Sequence, residues 1–343
     1  MIYLLQILVL VLSVSFGIAK PGFYPKNHSE IPSDLSQKAE AVFYIVPLCE
    51  GSCFNVPASE YSACAEGTRK GNIFRQLVCK ELRECDRQNL KECPVPYLTS
   101  GTAFLAEAPD TLYTAFHVFE KFYVKAIGEG SVLETSINFL LYNDEDTLVL
   151  DTRTLAEKTY ASVCAPPMKY LENYIHSKGL SDLVPLPPML EPLDFMQIKL
   201  ATDLSYRPLK VLSEPLAPGS DLYIAGYPMP SEDREKKYGV PDSDGVHFSF
   251  TKGKAINSVQ ALEIKNAKSL IAQNQFIVSD ADGLPGMSGG PILNGAGEVV
   301  GVFTTIPAAE ENAPLAEFHS MKTWGPSFYW MKHFMEVAPI IKK

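Results

Sequence analysis

Basic residues are what this chain is short of: 30 Lys and Arg stand against 40 Asp and Glu, a formal net charge of −10. Such a surface repels polyanions, which argues against nucleic acid or an anionic membrane as a partner. Residues 1–19 contain no Lys or Arg, so a signal sequence there has only the amino terminus as its positive end. No later segment reaches 18 uninterrupted apolar residues, which predicts no stable membrane insertion once a signal is removed. The cysteines lack the C-x2-C pairs of common zinc modules. No aspartate follows Ser288.

What is present begins with an apolar run from Ile7 to Phe16, followed by Gly17-Ile18-Ala19. Small residues at that spacing fit a signal-peptidase site, so residues 1–19 read as a signal peptide cleaved after Ala19, with an uncleaved anchor as the alternative. Residues 20–40 are a polar, proline-containing leader carrying the lone sequon Asn27-His28-Ser29. Ala41 to Leu48 then has the character of a strand. Six cysteines crowd the next stretch (Cys49, Cys53, Cys64, Cys79, Cys85 and Cys93), while Cys164 stands apart. In an exported chain, secreted or periplasmic, they predict a disulfide-stapled insert at about residues 49–97 whose connectivity spacing cannot fix. Phe74 to Cys85 has helical periodicity within it. The insert either braces a loop or serves regulation or substrate docking; zinc is the alternative for its thiols.

One stretch invites chemistry: Ser279-Asp280-Ala281-Asp282-Gly283-Leu284-Pro285-Gly286-Met287-Ser288-Gly289-Gly290-Pro291. It sets one serine among glycines, which allow tight turns and leave backbone N–H groups, those of Gly286 and Ser288, free to converge as an oxyanion hole. The bland alternative is a Gly/Ser/Pro surface turn. A serine hydroxyl is a weak nucleophile, so the chemistry requires a histidine base and an orienting carboxylate. Gly101 to Leu105 reads as a strand, and Leu112 to Val118 as a second one ending at His117. Asp194 heads an alternating strand, Phe195 to Leu200, better than Asp146, Asp151 or Asp182 head theirs. His176, after a helical turn near Tyr170, reads as a surface residue, and Pro185 to Pro192 as an extended approach to Asp194. Gly-Met-Ser-Gly-Gly also fits the nucleophile elbow of α/β-hydrolases, but those run Ser, acid, His with a helix directly after the serine. Here Pro291-Ile292-Leu293, Gly295 and Gly297 follow, which is hairpin chemistry.

In that order, GTAFL, TAFHV, DFMQIKL and GMSGGP resemble the landmark segments of the trypsin/chymotrypsin-like serine peptidases. The stretches from Pro218 to Pro228 and from Gly297 to Thr305 resemble the family's Gly-Tyr-Pro strand and its cleft-lining strand. The resemblance covers roughly residues 99–306. It implies an all-β fold of two six-stranded antiparallel Greek-key barrels, here with the Cys-rich insert and a C-terminal helix (Phe328, Met331, Phe334 and Met335 at helical spacing, Ser327 as N-cap candidate), in one peptidase domain at 41–340. The implied function is a serine endopeptidase acting through an acyl-enzyme, with His117, Asp194 and Ser288 as triad, Gly286 and Ser288 as oxyanion hole, Asp282 and Thr304 as substrate-binding residues, and no cofactor or metal. Its partners are protein or peptide substrates and protein inhibitors; an inactive peptidase-fold binding protein is the alternative.

Two departures refine this. Met287 occupies the place of the aspartate that pairs with a freshly cut N-terminus in trypsin-type zymogens. The surrounding Pro-Gly-x-Ser-Gly-Gly-Pro is nearer the Deg/HtrA-like and glutamyl-endopeptidase-like branches, which predicts activity without propeptide cleavage. Asp282 lies six residues before Ser288, where trypsin-like enzymes carry their specificity aspartate, which would favour Lys or Arg at P1; the alternative is that Gly283-Leu284-Pro285, without the family's disulfide to fix the register, turns Asp282 away, and the P1 preference stays open. The run Glu232 to Lys237 alternates in sign and reads as a solvated loop.

Overall fold

In the computed structural model, the residues described are 23–25, 28–49, 54–57, 64, 73–97, 99–119, 132–143, 147–164, 194–212, 214–229, 246–256, 276–304, 323–337 and 340–342. The signal segment, Asn27, Cys53, Asp146, the stretch 165–193 with His176 and Asp182, the charged run at 232–237 and Thr305 lie outside them. In chain order the strands are β1 (Phe23–Pro25), β2 (Val42–Leu48), β3 (Phe54–Pro57), β4 (Glu92–Val95), β5 (Gly101–Leu105), β6 (Thr111–Thr114), β7 (Val132–Ser136), β8 (Asn138–Tyr142) and β9 (Leu148–Asp151). They continue with β10 (Tyr160–Cys164), β11 (Met196–Lys199), β12 (Asp221–Gly226), β13 (Ser249–Lys254), β14 (Phe276–Ser279), β15 (Pro291–Asn294), β16 (Val299–Val302), β17 (Thr323–Pro326) and β18 (Ile340–Lys342). The α-helices are α1 (Ser33–Lys38), α2 (Ile73–Arg87) and α3 (Phe328–Val337).

The first large sheet runs β7-β10-β11-β6-β5-β2-β8, with β18 and β9 added at its ends. Only Ile137 separates β7 from β8, and its N–H still donates to Thr159 O at 3.1 Å. β7 and β8 are therefore one bent strand, and the sheet closes into a six-stranded barrel. The second barrel closes through isolated bridges. Its sheet β13-β12-β15-β16 joins the β14-β17 pair at Ala255–Ser279 on one side and Gly301–Ser327 on the other. Numbered within each barrel, both rings read 1-2-3-6-5-4, the Greek-key order that the resemblance implied.

These segments become strands because closure gives them apolar material on both faces. All seven residues of β2 (Val-Phe-Tyr-Ile-Val-Pro-Leu) are buried, as are all five of β5. Such near-continuous apolar runs fit doubly covered strands better than half-exposed ones. The main core joins both barrels, with Phe43, Tyr44, Phe104 and Phe139 from the first packed in one cluster with Tyr227, Phe250 and Leu293 from the second. A smaller cluster inside the second barrel holds Leu284, Met287, Ile292 and Phe303.

The insert has its own small core: α2, the antiparallel β3-β4 pair that brackets it in sequence, and a cluster of Val56, Leu82, Val95 and half-cystines. Disulfides join Cys64 to Cys79 and Cys85 to Cys93, and Cys49 is also disulfide-bonded. Ile73, Phe74 and Leu77 of α2 lean on the main core. Ahead of the first barrel, Leu35 of α1 is fully buried, and the Lys38 ammonium donates to Ala296 O in the turn between β15 and β16. Among the described residues no helix is long and apolar enough to cross a membrane.

Candidate active site

Strand β6 delivers the histidine. After Thr114 the chain leaves the sheet at Ala115, in extended backbone, and enters a single 3-10 turn, Phe116–Val118. Phe116 and Val118 are buried, so the turn is pinned on both sides while the imidazole of His117 remains 39% exposed. The neighbouring strand brings the acid, because β11 pairs with β6 with Met196 opposite Thr114. Asp194, two residues before β11, thus arrives beside the turn, held by the fully buried Phe195.

Both oxygens of Asp194 serve the histidine. Oδ2 lies 2.6 Å from Nδ1, and Oδ1 accepts the main-chain N–H of His117 at 2.7 Å. A carboxylate fixed at both oxygens favours the tautomer with its proton on Nδ1, which leaves Nε2 as the acceptor a general base needs. Sequence order separates these two residues by a long excursion; strand pairing cancels it.

Ser288 comes from the second barrel, on the loop between β14 and β15. The chain after it forms the β15–β16 hairpin, not the helix an α/β-hydrolase elbow requires. The loop is fastened to the first barrel at several points: Ser288 O accepts the Thr102 N–H at 2.8 Å, and Gly286 O accepts the Thr102 hydroxyl at 2.8 Å. Gly289, at φ +87°, approaches so closely that a Cβ there would meet Thr102 O and Thr114 Oγ1 at 2.2 Å and Ala115 N at 2.7 Å. Ala115 is two residues from His117, so the residue that follows Ser288 packs against the backbone that leads to His117.

The peptide planes of this loop are set one by one. Pro285 O accepts Met229 N–H at 2.8 Å, and Met287 O accepts Gly290 N–H at 2.9 Å. C=O and N–H point in opposite directions across a trans peptide; pinning these carbonyls turns the N–H groups of Gly286 and Ser288 the other way. Neither N–H has an acceptor among the described residues. Gly286 itself sits at φ +90°, a conformation most L-residues avoid.

Asp282 and Thr304, the two expected substrate-binding residues, are both buried and flank one landmark. Phe303, just before Thr304, donates its N–H to Gly290 O at 2.8 Å and accepts that of Gly289 at 2.7 Å. Its ring lies over Gly283, next to Asp282, where a Cβ would stand 2.5 Å from Cζ. Asp280 has a tying role: its Oδ1 accepts Lys254 N–H at 2.6 Å, locking the loop to the end of β13. Met287 is fully buried in the second-barrel cluster. Of the competing acids, Asp151 caps the 3-10 turn Thr152–Thr154 and pairs with Arg153 at 2.6 Å, away from His117. Thr102 and Thr114 had no place among the expected site residues. The available signal was the threonine hydroxyls inside β5 and β6, groups that burial obliges to find a partner.

A two-barrel scaffold with a His–Asp pair on one barrel and a serine among pinned peptides on the other defines the class of chymotrypsin-fold hydrolases. A sequence profile described as the trypsin-like peptidase domain matches residues 101–302. The chain belongs to the trypsin-like serine peptidase family and is a peptidase by that membership. No curated protein matches it. Among solved structures, the Rv3671c protease in its inactive form shares 17% identity over 69% of this chain and 83% of that one, with a TM-score of 0.36. The serine endoprotease from Yersinia pestis shares 10% identity over 90% of this chain and 67% of that one, with a TM-score of 0.42.

Proposed function

We propose that the protein is an exported endopeptidase that cleaves peptide bonds through the triad His117, Asp194 and Ser288. In this reading His117 Nε2 takes the Ser288 Oγ proton as Oγ bonds to the substrate carbonyl carbon. The carbonyl oxygen becomes an oxyanion held by the N–H groups of Gly286 and Ser288. The imidazolium, stabilised by Asp194, gives its proton to the leaving amine as the C–N bond breaks, and the acyl group stays on Ser288. Water then enters, loses a proton to His117, and releases the acid and the free serine.

The observation that carries this is the grip of Asp194 on both the ring and the main chain of His117, at 2.6 and 2.7 Å. A carboxylate used only for structure has no need to orient a half-exposed imidazole. Export, to a secreted or periplasmic destination, is supported by the disulfides and by the apolar run within residues 1–19. The matching domain assignment is signal 1–19, leader 20–40 and peptidase domain 41–340. Burial of Met287 supports a site that forms without an ion pair to a new N-terminus. Asp282 and Thr304 are assigned to substrate binding; an Asp282 carboxylate facing the cleft would favour Lys or Arg at P1, while a bend at Gly283-Leu284-Pro285 that turns it away would not, and equal or better turnover of peptides with Ala or Leu at P1 would exclude the basic preference.

The test is labelling of the oxidised protein by a fluorophosphonate together with cleavage of a mixed peptide library. Ser288→Ala and His117→Ala should each lower kcat by on the order of a million-fold. Well-folded wild-type protein that neither labels nor cleaves, before or after nicking by trypsin, refutes the proposal.

A further inference from the structure

Thr102 is fully buried, and every polar group it owns is engaged with a different piece of the site. Its N–H donates to Ser288 O at 2.8 Å. Its carbonyl accepts the Thr114 hydroxyl at 2.7 Å, on the strand that leads to His117. Its own hydroxyl donates to Gly286 O at 2.8 Å and accepts the Tyr227 N–H at 3.0 Å. One side chain from the first barrel thus completes the hydrogen bonding of two segments of the second.

The bond to Gly286 O has a particular consequence. Three consecutive peptides make up the turn before Ser288, and the outer two are pinned from within the second barrel by Met229 and Gly290. The middle one, Gly286–Met287, carries its N–H back to Leu284 O at 3.0 Å and, among the described residues, has its carbonyl held only from across the junction, by Thr102. Gly286 at φ +90° has the freedom to turn this plane, since glycine meets no Cβ obstacle to the alternative. This peptide joins the two that carry the Gly286 and Ser288 N–H groups, so turning it would strain both pinned neighbours and change the angle between those two donors.

We infer that Thr102 is a positioning residue that holds the oxyanion-binding peptides in their working orientation, so that docking of the first barrel is itself a condition for transition-state binding. The inference rests on the peptidase reading above. A preorganised donor pair is stronger in the transition state than in the ground state, so loss of the hydroxyl should appear in kcat and leave KM nearly unchanged.

The experiment compares Thr102→Val, Thr102→Ala and Thr102→Ser with wild type and Ser288→Ala, using one peptide substrate and one peptide boronic acid whose tetrahedral adduct places an oxygen at the hole. Both hydroxyl-free variants should lose about 10²-fold in kcat, the effect of one oxyanion donor, with KM within about twofold. Boronate affinity should fall in parallel. Thr102→Ser should recover to within a few-fold of wild type on both readouts. Valine keeps the volume and alanine relieves crowding, so failure of one to fold leaves the other as the test. Wild-type kcat in the folded variant, a loss confined to KM, or a loss that serine does not rescue each overturns the inference. Retained turnover in Ser288→Ala instead overturns the underlying triad, and the two failures are separate.

Discussion

Gly289→Ala is the substitution for which the structure gives the firmest magnitude. The residue has φ +87°, and the added methyl would stand 2.2 Å from Thr102 O, 2.2 Å from Thr114 Oγ1 and 2.7 Å from Ala115 N. Ordinary contacts to a methyl carbon are near 3.5 Å, so the loop must retreat by roughly 1 Å. The left-handed backbone costs about 1–2 kcal/mol for a residue with a Cβ, and overpacking a closed site costs about 1–3 kcal/mol more. The sum, about 2–5 kcal/mol, corresponds to a drop in Tm of roughly 3–7 °C for a chain of this size. Retreat also carries Ser288 off the His117 side of the junction and stretches the paired bonds between Gly289, Gly290 and Phe303. A misplacement of about 1 Å costs on the order of 10²-fold in rate.

The control is Gly219→Ala. Gly219 has nearly the same backbone, φ +80°, yet nothing stands within 4 Å of a Cβ there. It isolates the backbone cost from the packing cost. Scanning calorimetry gives the Tm difference, and the rate of fluorophosphonate labelling at Ser288 reports the loop position. If Gly289→Ala is no less stable than Gly219→Ala and labels at the wild-type rate, the close approach of the two barrels at this point is wrong.

Two further predictions concern regions away from the junction. Cys64–Cys79 and Cys85–Cys93 close loops with separations of 15 and 8 residues, each worth about 2.5–3 kcal/mol to the insert on chain-entropy grounds. The double variant Cys85→Ser/Cys93→Ser should lose amide-exchange protection in α2 while β5 and β6 keep theirs; equal loss throughout would show that the insert and the barrels unfold as one. The Arg153 side chain, hydrogen-bonded to Asp151, holds that carboxyl below the usual carboxylate range. The stabilisation is present above the unfolded pKa of about 3.9 and is lost as pH falls through the lower folded value. Asp151→Asn should therefore be less stable than wild type at neutral pH and lose less on acidification from about pH 5 to pH 2; parallel acid profiles would refute the linkage.

Elements with local signals were legible in the sequence at close to their real bounds. The strand read at Gly101 to Leu105 is β5, the helix read within Phe74 to Cys85 is α2, and the apolar spacing from Phe328 is α3. His117 falls one turn beyond β6 instead of at a strand end, because Ala115 leaves the sheet and Phe116 and Val118 bury themselves on either side of it. Asp194 precedes β11 for a similar reason: Phe195 goes into the core and releases the acid toward the histidine. Disulfide partners were illegible, since spacing admits many pairings and only the fold of α2 against β4 selects Cys85 with Cys93. Thr102 was illegible as a site residue because its role depends on Gly286 and Tyr227, more than a hundred positions away.

Both barrels use the ring order 1-2-3-6-5-4, yet their contributions to the site differ in kind. The first barrel supplies His117 and Asp194 already joined, in contacts that involve only β6, β11 and the turn between β6 and β7. The second supplies Ser288 with two N–H groups aimed by its own hydrogen bonds, all but the middle peptide. Each half is thus nearly complete alone, and neither can act. What remains to be fixed is the distance and angle between the halves, and beside the shared core this falls at the site to contacts with no tolerance: Gly289 against Thr102 and Thr114, and the three hydrogen bonds of Thr102 to Ser288, Gly286 and Tyr227. Such a division allows surface loops and the disulfide insert to vary without disturbing the chemistry. It also means that, the triad itself aside, substitutions with the largest effect on turnover should cluster at the junction, among residues that never touch the substrate.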